Sequence, residues 1–116
     1  MRSRTAAFAP DSLDVDGLKL IRGNCMLEYN GGEVQLVNKE YQMLEMLMRN
    51  KGRLVSSEQF IEHVWGYETD INVNVVWVNI SNLRRKLTQI NAPVEIKAVR
   101  GLGYRLEGTG EQNGGQ

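Results

Sequence analysis

Six cations lie between residues 71 and 106: Arg84, Arg85, Lys86, Lys97, Arg100 and Arg105. They face a single carboxylate, Glu95. The same segment carries Asn74, Asn79, Ser81 and Asn82. Guanidinium and ammonium groups attract a polyanion whatever its sequence, and amides and hydroxyls can tell one base edge from another. Residues 1–70 carry 8 basic and 11 acidic residues, and the last ten add Glu107 and Glu111, so the chain as a whole has zero net charge. A basic third on an acidic body is the footprint of a polyanion site or, more simply, of a solvated basic face.

Other chemistry has little to work with. One histidine, His63, and one cysteine, Cys25, leave no acid–base pair, no cysteine-cluster metal site and no internal disulfide. Gly101-Leu102-Gly103 lacks the third glycine and the following helix of a dinucleotide-binding loop, so the glycines read as turn formers. No enzyme activity, metal or cofactor is expected. At 116 residues the chain has room for one domain. No apolar run approaches the roughly 18 residues of a membrane span, and no signal peptide opens the chain, which points to a cytoplasmic domain.

The elements that must position these residues follow from periodicity. Residues 1–12 read as a linker or tail and 107–116 as a flexible polar terminus, leaving 13–106 as the folded unit. Leu18–Ile21, Met26–Tyr29 and Val34–Leu36 read as a small antiparallel meander, with Asn30-Gly31-Gly32 as a hairpin turn. From Asn38 to Arg49 the period becomes helical: Tyr41, Leu44, Leu47 and Met48 form the buried stripe, and Glu40, Glu45 and Arg49 lie off it. Ser56-Ser57-Glu58-Gln59 is a capping box that opens a second helix, ended at Trp65-Gly66-Tyr67. Ile71–Val75 is β-branched and alternating, yet Val76, Ile80, Leu83, Leu87 and Ile90 make a helical seam over four turns. The seam outweighs the local propensity and predicts one helix over Val73–Ile90. Opposite the seam lie Asn74, Val78, Ser81, Asn82 and Arg85, with Trp77 and Arg84 on one shoulder and Asn79 and Lys86 on the other. Val94–Val99 and Tyr104–Leu106 make a closing hairpin.

A small antiparallel sheet, three helices and a C-terminal hairpin describe an α+β winged helix-turn-helix. The blocks Val64-Trp65-Gly66-Tyr67, Leu83-Arg84-Arg85-Lys86-Leu87 and Val99-Arg100-Gly101-Leu102-Gly103-Tyr104-Arg105-Leu106 occur in one order with fixed separations. In these blocks, and in Glu40, Leu44, Leu47, Gly52, Val55-Ser56 and Glu58-Gln59, the sequence resembles the C-terminal effector domain of OmpR/PhoB-family response regulators. The resemblance implies sequence-specific double-stranded DNA binding for transcription regulation, with the third helix in the major groove and the hairpin wing in the neighbouring minor groove. It implies DNA contacts at Trp65, Asn74, Val75, Val78, Asn79, Ser81, Asn82, Arg84, Arg85 and Arg100. It also implies an RNA polymerase contact in the loop that holds Glu68, Thr69 and Asp70. The further partners implied are a receiver domain and sensor kinase in a longer parent. The domain is expected to be a monomer alone and a tandem dimer on direct-repeat operators.

The sequence departs from the family where contacts are made. Family members usually carry Arg-Thr where Asn74-Val75 stands, Asp at Trp77, His at Asn79 and Arg at Asn82. The usual threonine cap of the first helix is Val37, which has no side-chain acceptor, so Asn38 is expected to cap one residue later. The neutral replacements, with the zero net charge, also admit a winged-helix protein-interaction module with weak or lost DNA binding. Salt dependence of duplex binding separates the two.

Overall fold

The computed structural model describes residues 12–66 and 70–109. Four short strands, β1 (Ser12–Val15), β2 (Leu18–Ile21), β3 (Met26–Tyr29) and β4 (Gly32–Gln35), form an antiparallel sheet in sequence order. Its register lines up Leu13, Leu20, Leu27 and Val34 across all four strands. That apolar row turns one face toward the helices, and Leu20 and Leu27 are fully covered.

The meander is one strand larger than the sequence reading. β1 and β2 are joined by Asp16-Gly17, both at positive φ, just as Asn30-Gly31 joins β3 and β4. Two-residue turns of this kind match the twist of antiparallel strands, and Asp-Gly is as strong a signal for one as Asn-Gly. The flanks are also shorter than expected where they are described: Ser12 opens β1, and the last strand runs to Gly108, taking in Glu107. The rest of the expected linker and tail lies outside the described residues.

Helix α1 spans Asn38–Arg49. Asn38 is its first helical residue and not its cap. Val37 takes the cap position with extended backbone, φ −80° and ψ 164°, and no side-chain acceptor serves the first turn. Glu40 supplies the other half of a capping box, accepting from the Val37 N–H at 3.0 Å. Glu40 is also the largest departure from the expected amphipathic pattern. It is 3% exposed, the only buried charged residue among those described.

Helix α2 (Ser57–Phe60) opens with the predicted capping box, Ser56 Oγ accepting from Gln59 N at 3.0 Å and Gln59 Oε1 from Ser56 N at 2.8 Å. It runs into a π-helical turn (Ile61–Trp65) closed by Gly66 at φ 60°. Helix α3 spans Val73–Gln89, so the β-branched start yields to the seam. Val76, Ile80, Leu83 and Leu87 are all buried. Packing of a continuous apolar stripe outweighs the modest χ1 cost of valine in a helix.

Strands β5 (Val94–Val99) and β6 (Gly103–Gly108) form the closing hairpin. The α1–α2 connector is bridged to β6 at one point: Val55 and Tyr104 exchange backbone hydrogen bonds of 2.8 and 2.9 Å, and Gly52 N donates to Leu106 O at 2.9 Å. The Phe60 and Tyr104 rings lie 6.2 Å apart beside this bridge. A single core gathers the inner sheet face, α1, α2, the α3 seam and Ile96, Tyr104 and Leu106 of the hairpin. Tyr41, buried in it on α1, has its hydroxyl pKa raised by desolvation and by the nearby Glu45 carboxylate.

Candidate nucleic-acid interface

Helix α3 is presented by its own cap. Asn72 Oδ1 accepts from Asn74 N at 2.8 Å, and Asn72 O accepts from Val75 N at 3.0 Å. Asn is a favoured cap because its side-chain carbonyl satisfies an orphan N–H of the first turn. With the seam buried, Asn74, Val78 and Arg85 emerge exposed on the opposite side, and Ser81 and Asn82 are half-buried between them. Five predicted site residues thus share one face of one helix.

The others divide. Val75 and Asn79 are half-buried, and Asn79 Nδ2 donates to Val75 O at 2.9 Å within the helix. Arg84 leans toward the hairpin, where its Nε donates to Ile96 O at 3.0 Å and ties α3 to β5. Arg85 Nη2 bonds Asn82 Oδ1 at 2.8 Å, so the two outward polar groups are held together. Trp65 is 7% exposed, with Lys39 Nζ 5.5 Å from its ring centre. Arg100 is exposed in the turn of the hairpin. In the expected polymerase loop, Glu68 and Thr69 lie outside the described residues, and Asp70 is exposed with φ 66°.

Electrostatics redistributes the basic segment. Lys86 Nζ bonds the buried Glu40 Oε1 at 2.6 Å, Arg105 pairs with Glu107, and Lys97 lies 3.8 Å from Glu95. Three of the six cations therefore have a carboxylate at hand. Arg84, Arg85 and Arg100 make no ion pair among the described residues, and all three lie on α3 or the hairpin turn. Among the described residues no group of His, Cys, Asp or Glu is arranged to hold a metal, and no helix is long and apolar enough to cross a membrane.

Sequence reasoning left one prominent group out of the site. Val73, Trp77 and Leu102 are exposed beside the polar face, Trp77 at 56%. The signal was available: a tryptophan off the seam of an amphipathic helix has no core to enter.

A capped helix with an outward polar face, braced against a hairpin that carries a free arginine, defines the winged helix-turn-helix of a transcription regulator's DNA-binding domain. The family described as transcriptional regulatory protein, C terminal, matches residues 31–106, and the chain belongs to that family. Response regulator ArlR of Staphylococcus aureus is 38% identical over 94 residues, which are 81% of this chain and 43% of the relative. The chain therefore spans less than half the length of the curated relatives it matches. Among solved structures, the C-terminal domain of the nisin resistance regulator NsrR is 32% identical with a TM-score of 0.69, over 82% of this chain and 96% of that one. The Klebsiella pneumoniae RstA DNA-binding domain, solved in complex with RstA box, is 26% identical with a TM-score of 0.70, over 84% of this chain and 98% of that one.

Proposed function

We propose that the chain is the effector domain of a response regulator and reads duplex DNA with α3 in the major groove and the β5–β6 hairpin at the neighbouring minor groove. The observation that carries this reading is the placement of Arg84, Arg85 and Arg100, the segment's three cations without a carboxylate, on those two elements. Arg85 and Arg100 serve phosphates or the minor groove, and Asn74, Ser81 and Asn82 meet base edges directly or through water. Val78 on the same outward face, Val75 and Asn79 beside it and Trp65 at the end of the π-helical turn complete the contact set. Arg84 combines a phosphate role with its brace to β5. The exposed face and the RstA relative solved on DNA support DNA over the interaction-module alternative.

The remaining parts of the reading concern the longer protein. The DNA-binding unit occupies 13–106, extended by β1 to Ser12 and by β6 to Gly108, and the residues before it join it to a receiver domain controlled by a sensor kinase. Two copies sit in tandem on a direct-repeat operator, and the loop with Glu68, Thr69 and Asp70 turns toward RNA polymerase. Such a regulator works in the cytoplasm, where the nucleic acid is. The chain performs no catalysis of its own: its action is placement. Selection from random duplexes, followed by titration of affinity against salt, tests the assignment. A recovered consensus with affinity that falls steeply with salt is expected, whereas no duplex binding at low salt would refute it.

A further inference from the structure

Six large apolar side chains are exposed among the described residues, and four of them, Val73, Trp77, Val78 and Leu102, lie on α3 or in the hairpin turn. Val73 and Trp77 are one helical turn apart on the flank of α3 that also carries Arg84. Because Arg84 Nε bonds Ile96 O of β5, that flank faces the hairpin. Val73 also lines an open groove with Ser57, Glu58, Val99, Arg100 and Leu102, and Trp77 stands one turn farther along α3, beyond the lining of that groove. Exposed apolar side chains, Val73 and Trp77 on α3 and Leu102 in the hairpin turn, thus stand on the two elements that approach DNA, with Arg85 on the outward face of the helix and Arg100 in the hairpin turn.

We propose that Trp77, with Val73 and Leu102, seats the deoxyribose edge of the DNA strand that passes between the two grooves. This rests on the DNA-binding reading above. With a helix in the major groove and a hairpin in the adjacent minor groove, what lies between them is one sugar–phosphate strand. Its phosphates call for cations, which Arg85 and Arg100 supply from the two elements. Its sugars present C–H surface, which an indole covers with a gain from apolar burial and no release of counterions. A 2′-hydroxyl at the same place would be desolvated against an apolar ring with no partner, so the seat favours deoxyribose over ribose. Trp77 therefore adds affinity that depends neither on base sequence nor on salt.

The test titrates wild type, Trp77→Ala and Trp77→Phe against a duplex recovered by selection and against its scrambled counterpart, each at several salt concentrations. Trp77→Ala is expected to weaken both duplexes by about tenfold with the salt slope unchanged, and Trp77→Phe to keep most of the affinity. Single ribonucleotides are then placed along each strand. Wild type is expected to lose affinity at one or two positions where Trp77→Ala loses none. Equal affinity of wild type and Trp77→Ala overturns the seat alone. A loss confined to the selected duplex makes Trp77 a base reader and overturns it too, as does a changed slope or an identical ribose scan in both proteins. Absence of salt-dependent duplex binding by wild type overturns the seat together with the DNA-binding reading.

Discussion

Arg85 and Asn82 are neighbours on the exposed face of α3 and share a hydrogen bond, yet they carry different kinds of information. An arginine on a phosphate acts through charge and is blind to sequence. An asparagine amide in the major groove acts through a donor and acceptor that only some base edges match. Arg100, exposed in the hairpin turn and without an ion pair among the described residues, isolates the first kind. Arg100→Ala is expected to weaken selected and scrambled duplexes alike and to lower the salt slope by about 1. Asn82→Ala is expected to leave the slope nearly unchanged and to cost roughly 1–3 kcal/mol on the selected duplex only. Affinity measured against salt for each variant checks both, and an equal loss on both duplexes for Asn82→Ala would remove its base-reading role. At this scale the outward polar residues were legible, because a helical seam dictates what lies opposite it. Glu40 was not: it sits one residue from Tyr41 on α1, and only the arrival of Lys86 from α3 makes its burial tolerable.

That pair belongs to the packing of elements, since it joins the first helix to the third. A carboxylate whose side chain is 4% exposed and an ammonium at 19% hold each other with a 2.6 Å contact. Removing one partner leaves a buried charge alone, so Glu40→Gln is expected to cost about 3 kcal/mol, and Glu40→Met with Lys86→Met much less than twice that. Chemical denaturation of the two variants checks this. The hairpin has its own constraint in Gly103, at φ 145°, where a Cβ would lie 2.4 Å from Val55 O. Gly103→Ala must break the bridge or move the connector and is expected to cost about 3 kcal/mol, whereas Gly101→Ala, at φ 78° with open space around it, is expected to cost about 1 kcal/mol. Denaturant midpoints of the two separate crowding from conformational strain. The sequence reading placed both glycines in the hairpin turn but could not assign Gly103 its neighbour, because Val55 is close to half the chain away. The cap of α1 escaped for a related reason. Side-chain chemistry favoured Asn38, but backbone geometry set the boundary at Val37, with Glu40 covering its N–H.

Among the described residues one core unites the sheet, the helices and the hairpin, and the proposed role gives the polar face of α3 to DNA. The domain alone is therefore expected to sediment as a monomer at micromolar concentration, and two copies joined by a flexible linker are expected to bind a direct repeat at least a hundredfold more tightly than one. Sedimentation and affinity of the linked pair check this, and a tight dimer without DNA contradicts it. The order of the elements after β1 was legible because the period changes from two to 3.6 at α1, and the seam of α3 outweighs its alternating start. What joins them was not, because the bridge from Val55 to Tyr104 depends on two segments with no sequence signal for each other. That bridge also orders events in time. The meander and the individual helices are closed by nearby residues and can form early, while the connector and the last strand must meet across a long loop whose closure is entropically slow. A closure that limits the rate is already made when the chain commits to fold, so weakening the bridge should slow folding more than it hastens unfolding, making the docking of the hairpin the step at which the fold is decided.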